Sequence, residues 1–186
     1  YTSRQSIFTS NGKPLIATED FQGMKVRGLS KLVDEGLIAV GAAPATMPGS
    51  EVYQALQTGV IDAGLTDVSA GYSRRYYEVQ KYGTVTPFFA VYFHLFVTPA
   101  WWDKLPADVR AGIERAADKA ERDIVGVTEE TAANAITQLK DKGMVIHVQS
   151  DEEAAVWKSR MQKPVLEAFR KLGPDATRLV DLIEKL

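Results

Sequence analysis

The fold of this chain is decided by residues 107–142, which read ADVRAGIERAADKAERDIVGVTEETAANAITQLKDK. The segment contains no proline, and its apolar residues recur every three or four positions, a pattern that predicts one amphipathic helix. At about 1.5 Å per residue, such a helix would be about 54 Å long, well beyond the roughly 30 Å diameter of a small domain. We therefore expect it to reach across more than one lobe or to project into a partner. Its weak points are Gly112 and Gly126, which each cost about 1 kcal/mol relative to alanine.

The residues before this helix alternate between short apolar runs and helical patterns, which is typical of an α/β domain. Ser30, Ser50 and Asp67 each precede a predicted helix, and their side-chain oxygens are expected to cap it. The helix after Asp67 is expected to reach about Tyr82. Residues 84–98 are rich in aromatic and β-branched residues, which predicts one long and largely buried strand.

The composition excludes several classes of protein. The 186 residues include 22 basic and 24 acidic side chains without a cluster of Lys and Arg, which disfavours a nucleic-acid-binding protein. The absence of cysteine excludes disulfides and thiolate metal sites. The longest strongly apolar stretch, residues 87–97, is far shorter than the roughly 20 residues that span a bilayer.

The sequence contains no catalytic motif. Its two histidines, His94 and His147, have no metal-ligand spacing to each other or to nearby carboxylates. A phosphate-binding glycine loop and a nucleophile elbow are also absent. Acidic pairs such as Asp34 and Glu35 are expected on solvated helix faces. We therefore expect neither an enzyme nor a bound metal or cofactor.

Arg27 is the residue with the strongest case for binding. It ends a short predicted strand just before a helix, and ligands of α/β domains bind beyond the carboxyl ends of the strands. The planar guanidinium can hold a carboxylate through two hydrogen bonds. The alternative is that Arg27 forms an ordinary surface ion pair.

Several runs of residues match a known family. Residues 20–27 read DFQGMKVR and residues 50–62 read SEVYQALQTGVID, and shorter matching blocks follow at 77–82 and 101–106. With these motifs the chain resembles the solute-binding subunits of tripartite ATP-independent periplasmic (TRAP) transporters, the DctP-like family. The resemblance implies a periplasmic protein that captures a small organic acid and delivers it to membrane permease subunits.

The resemblance also implies a fold, an α/β protein of the type II periplasmic-binding-protein kind with a very long spine helix. The family's first segment would precede Tyr1, so the first lobe is expected to be largely absent. We expect a ligand-binding lobe over residues 1–98 and an inter-lobe spine helix over 99–143. A C-terminal strand and helices over 144–186 are expected to pack back on the lobes.

In the family, the arginine that matches Arg27 holds the ligand carboxylate in the cleft between the lobes. The arginine that matches Arg4 contacts the ligand in some members. The position that matches Ser30 lies near the ligand in some of them. The resemblance therefore implies that Arg27, Arg4 and Ser30 bind the ligand.

Three positions depart from the family pattern. Gly49 stands where many members have an aromatic residue that packs on the ligand. Thr66 replaces a ligand-binding asparagine, and Asp67 replaces a proline. We include Gly49, Thr66 and Asp67 in the candidate ligand-binding site. The extra carboxylate of Asp67 is expected to oppose a small dianion, and the ligand class stays open.

A second interpretation is that the chain is an assembly module that does not bind ligand. Without the other lobe, the apolar face of the long helix and the aromatic residues between Phe88 and Phe96 are expected to be uncovered. Exposed apolar surface of this kind favours a homo-oligomer or a domain-swapped assembly. Both interpretations stay open on the sequence alone.

Overall fold

Six strands form a mixed β-sheet with helices on both faces. A computed structural model describes residues 2–3 and 5–185 of the chain. The strands are β1 (Thr2–Ser3), β2 (Ser6–Ser10), β3 (Lys25–Gly28), β4 (Ala43–Thr46), β5 (Ala63–Asp67), β6 (Tyr82–Thr86), β7 (Val91–Tyr92) and β8 (Val145–Val148). The helices are α1 (Lys31–Ala39), α2 (Val52–Gln57), α3 (Val68–Ser73), α4 (Pro99–Trp102), α5 (Ala107–Asp141), α6 (Asp151–Arg170) and α7 (Pro174–Ile183). The predicted α/β class is confirmed.

The sheet has the strand order β4-β3-β5-β2-β6-β8, and every strand except β2 runs in the same direction. Because β2 is antiparallel to both neighbours, Ser6 at its start pairs with Asp67 and Thr86 at their ends. The ends of the parallel strands and the start of β2 therefore lie together. This region is termed the carboxyl end of the sheet. Strands β1 and β7 form a separate antiparallel pair.

Each face of the sheet is covered by helices. Consecutive residues of β2 point to opposite faces, so Phe8 packs with α1 and α6 while Ile7 packs with α3 and α5. Val68 of α3 and Leu139 of α5 complete the second layer. The result is a three-layer unit of helices, sheet and helices.

Helix α5 is continuous, as its proline-free pattern predicted. It runs through Gly126 without a break. In the described structure its buried residues are Ala135 and Leu139, near its C-terminal end, while Val127 in its middle is more than half exposed. The predicted spine segment 99–143 also holds the short helix α4, and the three-part division of the chain stays a prediction.

Residues 84–98 do not form the single buried strand that the sequence predicted. Strand β6 ends at Thr86, directly before Pro87, which has no N–H to donate to a sheet. The chain then forms only the two-residue β7, and Leu95 and Phe96 are 95% and 85% exposed. An apolar run becomes a buried strand only where other elements cover it, and the described residues leave these two side chains open.

Two of the three predicted helix caps are confirmed. The Ser30 hydroxyl accepts a hydrogen bond from the first turn of α1 (3.4 Å), and the Asp67 carboxylate accepts one from the first turn of α3 (2.9 Å). The prediction for Ser50 is wrong, because Glu51 occupies the N-cap position of α2 without a side-chain bond. Helix α3 is shorter than predicted and is followed closely by Arg75, which has a left-handed backbone (φ 60°).

A cluster of aromatic rings holds α6 against the sheet. The Trp157 ring packs edge-on against Phe21 (5.0 Å between centroids) and Phe8 (5.5 Å). Its indole N–H donates to the Ile16 carbonyl oxygen at 2.8 Å, so the buried polar atom has a partner. Trp157 therefore joins the C-terminal part of the chain to the first strands.

We expect Trp157→Ala to lower the free energy of unfolding by about 3–5 kcal/mol, because it removes a buried ring from a packed cluster. Trp101→Ala is the matched control, since Trp101 is 47% exposed, and it should cost less than about 1 kcal/mol. Urea unfolding followed by circular dichroism measures both variants. Equal losses for the two would contradict the packing described for α6.

Candidate functional site

Arg27 lies at the carboxyl end of the sheet, one residue before the end of β3. The residue is only 8% exposed. Nη1 donates to the Leu65 carbonyl oxygen at 2.7 Å, while Nε and Nη2 donate to the Met47 carbonyl oxygen at 3.4 and 3.3 Å. These bonds hold the guanidinium between β5 and the loop that follows β4.

The Arg27 guanidinium keeps donors for another group. Among the described residues, the two carbonyls accept one N–H from each nitrogen, which leaves one N–H on Nη1 and one on Nη2 without an acceptor there. Two such groups match the two oxygens of a carboxylate. Within residues 5–185, no Asp or Glu forms an ion pair with Arg27. The surface ion pair considered from the sequence is therefore not observed for this buried residue.

Burial lowers the pKa of the Arg27 guanidinium, because the charged form loses hydration, and the nearby charge of Arg74 acts in the same direction. An arginine nevertheless stays protonated at neutral pH. The site therefore contains a desolvated cation, and the partner that matches it is an anion that replaces the lost hydration.

Asp34 shapes the turn that follows Arg27. Its carboxylate accepts hydrogen bonds from the Leu29 N–H (3.2 Å) and the Thr46 hydroxyl (2.7 Å). The same carboxylate fills the space beside Gly28, where an added Cβ would lie 2.5 Å from it. The prediction of a solvated Asp34 is wrong, because the residue is buried and joins the end of β3 to the end of β4.

Arg74 is a second cation at the same place, and the sequence reasoning missed it. Its guanidinium lies against Gly49, where an added Cβ would lie 2.5 Å from Nη1. Nη1 also donates to the Thr66 hydroxyl oxygen at 3.2 Å. Arg27 and Arg74 therefore contact the same two segments, the loop after β4 and strand β5 at Leu65 and Thr66.

Tyr76 is fully buried and lies near both arginines. Burial raises the pKa of its hydroxyl, and this effect exceeds the opposing influence of Arg74 and Arg27. The phenol is therefore neutral at pH 7 and does not balance the charge of either arginine.

The other predicted ligand-binding residues have structural contacts or lie outside the description. Ser30 is exposed and caps α1. Asp67 is half-buried, and its carboxylate accepts hydrogen bonds from two N–H groups of α3 at 2.9 and 3.2 Å. Arg4 lies outside the described residues. Ligand contact by these three residues stays a prediction.

An apolar groove of about 620 Å³ lies elsewhere, between α6 and the segments that follow β6 and β8. Its walls include Phe88, Trp157 and Met161 but none of the candidate ligand-binding residues. In the described part of the chain, no group of three or more His, Cys, Asp or Glu is placed to hold a metal ion. No helix among the described residues has both the length and the apolar character needed to cross a membrane. The two arginines are therefore the strongest candidate site.

The three-layer α/β fold is that of solved solute-binding proteins. The chain belongs to the bacterial extracellular solute-binding proteins of family 7, since the family's sequence model, DctP, matches residues 3–172. The resemblance to TRAP solute-binding subunits that the motifs indicated is confirmed.

Named relatives and solved structures agree with this assignment. The C4-dicarboxylate-binding periplasmic protein DctP of Rhodobacter capsulatus is 35% identical over 173 residues, which are 92% of this chain and 52% of the relative. A TRAP periplasmic solute binding protein from Rhodoferax ferrireducens with bound malonate matches with a TM-score of 0.88 and 26% identity, over 99% of this chain and 59% of that one. A TRAP periplasmic solute binding protein from Shewanella oneidensis with bound succinate matches with a TM-score of 0.78 and 29% identity. That match covers 94% of this chain and 58% of the other. The chain thus spans about half the length of the curated relatives it matches.

We expect Asp34→Ala to lower the free energy of unfolding by about 1–3 kcal/mol, because the Leu29 N–H and the Thr46 hydroxyl lose their acceptor. Glu35→Ala is the matched control, since Glu35 is the exposed neighbour on α1 and should change stability by about 0.5 kcal/mol or less. Urea unfolding measures both. A loss for Asp34→Ala no larger than the control's would show that the turn does not depend on this carboxylate.

Proposed function

We propose that this chain forms the acid-binding part of an extracytoplasmic solute-binding protein of a TRAP transporter. It captures a small organic acid in the periplasm and delivers it, chemically unchanged, to the membrane permease subunits. The observation that carries the proposal is the buried Arg27 guanidinium, which has two spare N–H groups at the carboxyl end of an α/β sheet. Ligands of such sheets bind beyond this end.

The binding step exchanges water for fixed hydrogen-bond donors. A carboxylate that leaves water loses its hydration, and charged hydrogen bonds must replace it. The Leu65 and Met47 carbonyls already fix the guanidinium plane of Arg27, so little side-chain freedom is lost when the acid binds. Ser30, Gly49, Thr66, Asp67 and Arg4 are assigned to the surroundings of the acid.

The relatives support an acid as the ligand and transport as the role. The structures from Rhodoferax ferrireducens and Shewanella oneidensis contain malonate and succinate, which are both carboxylates. The Rhodobacter capsulatus relative is a periplasmic binding protein. Members of a solute-binding family carry their ligand rather than transform it, which supports a protein without catalytic activity.

A second candidate function, self-association of this chain, rests on its exposed apolar surface. Residues 92–97 lie beside the first half of α5, and Leu95, Phe96 and Ile113 of these segments are exposed. Monomeric soluble proteins rarely expose a large contiguous apolar patch. We propose that a second copy covers this surface when the chain is produced alone.

Arg27→Ala should weaken binding of malonate and succinate by about 30-fold to several thousand-fold, because it removes one member of a desolvated charge pair. Arg27→Lys keeps the charge but loses the two-pronged geometry, so its affinity should lie between those of the parent and of Arg27→Ala. Isothermal titration calorimetry on the complete gene product that carries this sequence measures all three. A normally folded Arg27→Ala variant that binds within about threefold of the parent would refute the site assignment.

For self-association, the isolated chain should sediment as a dimer or larger species at high micromolar concentration. The double variant Leu95→Asp with Phe96→Asp should sediment as a monomer, because two charges in the patch oppose its burial. Leu172→Asp is the matched control, since Leu172 is also exposed but lies after α6, and it should leave the oligomeric state unchanged. A monomeric parent chain would exclude this second function.

A further inference from the structure

We infer that Arg74, held against Gly49 beside the Arg27 site, is a second anion-binding residue that selects acids with two acidic groups. The inference rests on the proposed function and deepens it, since it names a specificity-determining residue. One acidic group would bind to the buried Arg27, and the other would bind to the exposed Arg74.

The two guanidinium groups are anchored side by side. Arg27 donates to the Leu65 carbonyl in the middle of β5, and Arg74 donates to the hydroxyl of the next residue, Thr66. Around the loop after β4, Arg27 donates to the Met47 carbonyl, and Arg74 lies against Gly49 two positions later. The shared anchors place one cation inside the site and the other at its solvent-exposed side.

The charge of Arg74 has no counter-ion among residues 5–185. Its sequence neighbour Arg75 takes Glu78 in an ion pair, while the carboxylate of Asp67 accepts hydrogen bonds from the first turn of α3. Tyr76 is neutral at pH 7, because burial raises the pKa of its hydroxyl. The acidic group expected to oppose a dianion therefore accepts hydrogen bonds from the protein's own N–H groups, whereas Arg27 and Arg74 form no ion pair with an Asp or Glu within residues 5–185.

Two neighbouring cations favour a doubly charged ligand. The two positive charges repel each other, so each guanidinium raises the electrostatic free energy of the other. An acid with one carboxylate neutralises only one of the two charges. A diacid balances both, and the spare N–H groups of Arg74 supply charged hydrogen bonds to its second carboxylate. The absence of a side chain at Gly49 is part of this arrangement, because an added Cβ would displace the guanidinium.

The test compares diacids with monoacids of equal chain length. Calorimetry on the complete gene product uses succinate against butyrate and malonate against propionate. We expect the parent protein to prefer at least one diacid over its monoacid by about tenfold or more. Arg74→Ala should weaken that diacid by about 10- to 100-fold and change the monoacid by less than about threefold. Arg75→Ala, the matched loss of one positive charge, should leave the preference unchanged.

Gly49→Ala separates geometry from charge. It keeps both arginines but moves the Arg74 guanidinium, so it should reduce the diacid preference as Arg74→Ala does. Thermal unfolding of each variant shows whether it is folded.

The outcomes distinguish this inference from the proposed function. If acids bind through Arg27 but Arg74→Ala leaves the diacid preference intact, or weakens diacids and monoacids equally, the inference is overturned and the proposed function stands. Failure of the parent protein to prefer either diacid also overturns the inference. If neither Arg27→Ala nor Arg74→Ala changes any acid's affinity, both are overturned.

Discussion

The sheet of this protein depends on the backbone pairing of β2. All five of its residues pair with β5 on one side and with β6 on the other, and all five are buried. Strands β3 and β4 join the sheet through β5, whereas β8 joins it through β6. Without β2 the sheet would separate into two halves, and neither layer of helices would have a continuous surface to cover.

The reversed direction of β2 also organises the carboxyl end of the sheet. Because its first residue lies where the other strands end, the Ser6 hydroxyl donates to the Thr86 carbonyl (2.8 Å) and accepts from the Phe88 N–H (3.2 Å). These bonds satisfy polar groups of the segment that leaves β6. On the other side of β2, the ends of β3 and β5 carry Arg27 and Thr66, so the proposed binding residues lie at the same end of the sheet as these structural bonds.

Features that depend on neighbouring residues could be predicted from the sequence. The continuous α5 follows from spacing and the lack of proline, and the caps at Ser30 and Asp67 follow from side chains that reach the next turn. Arg27 could be predicted as a candidate ligand-binding residue because ligands of α/β folds bind beyond the carboxyl ends of the strands. Each of these features follows either from residues close together in the sequence or from a general rule for α/β folds.

Features that depend on contacts between residues far apart in the sequence could not be predicted from it. Arg74 follows a six-residue helix and has no motif of its own, since its partners are Thr66, eight residues away, and the loop at Gly49. Asp34 has the pattern of a solvated residue, and its contacts with the Leu29 N–H and the Thr46 hydroxyl show why it is buried. The apolar run at 84–98 predicted a buried strand because the hydrophobic pattern shows which residues are able to be buried. The pattern does not show whether other elements of the fold cover them.

The buried residues of helix α5 all lie near its C-terminal end, so a small tilt of the helix there moves its N-terminal end much further. The segment around Ala135 and Leu139 is packed in the core and is called the clamp of α5. The roughly 25 residues before this segment extend about 38 Å. A tilt of about 5° needs a shift of only about 1 Å across a clamp two turns long, yet it moves the start of the helix by about 3 Å. The clamp packs on α3, and Arg74 directly follows that helix. A small displacement of α3 would therefore be enlarged at Ala107, at the opposite end of α5.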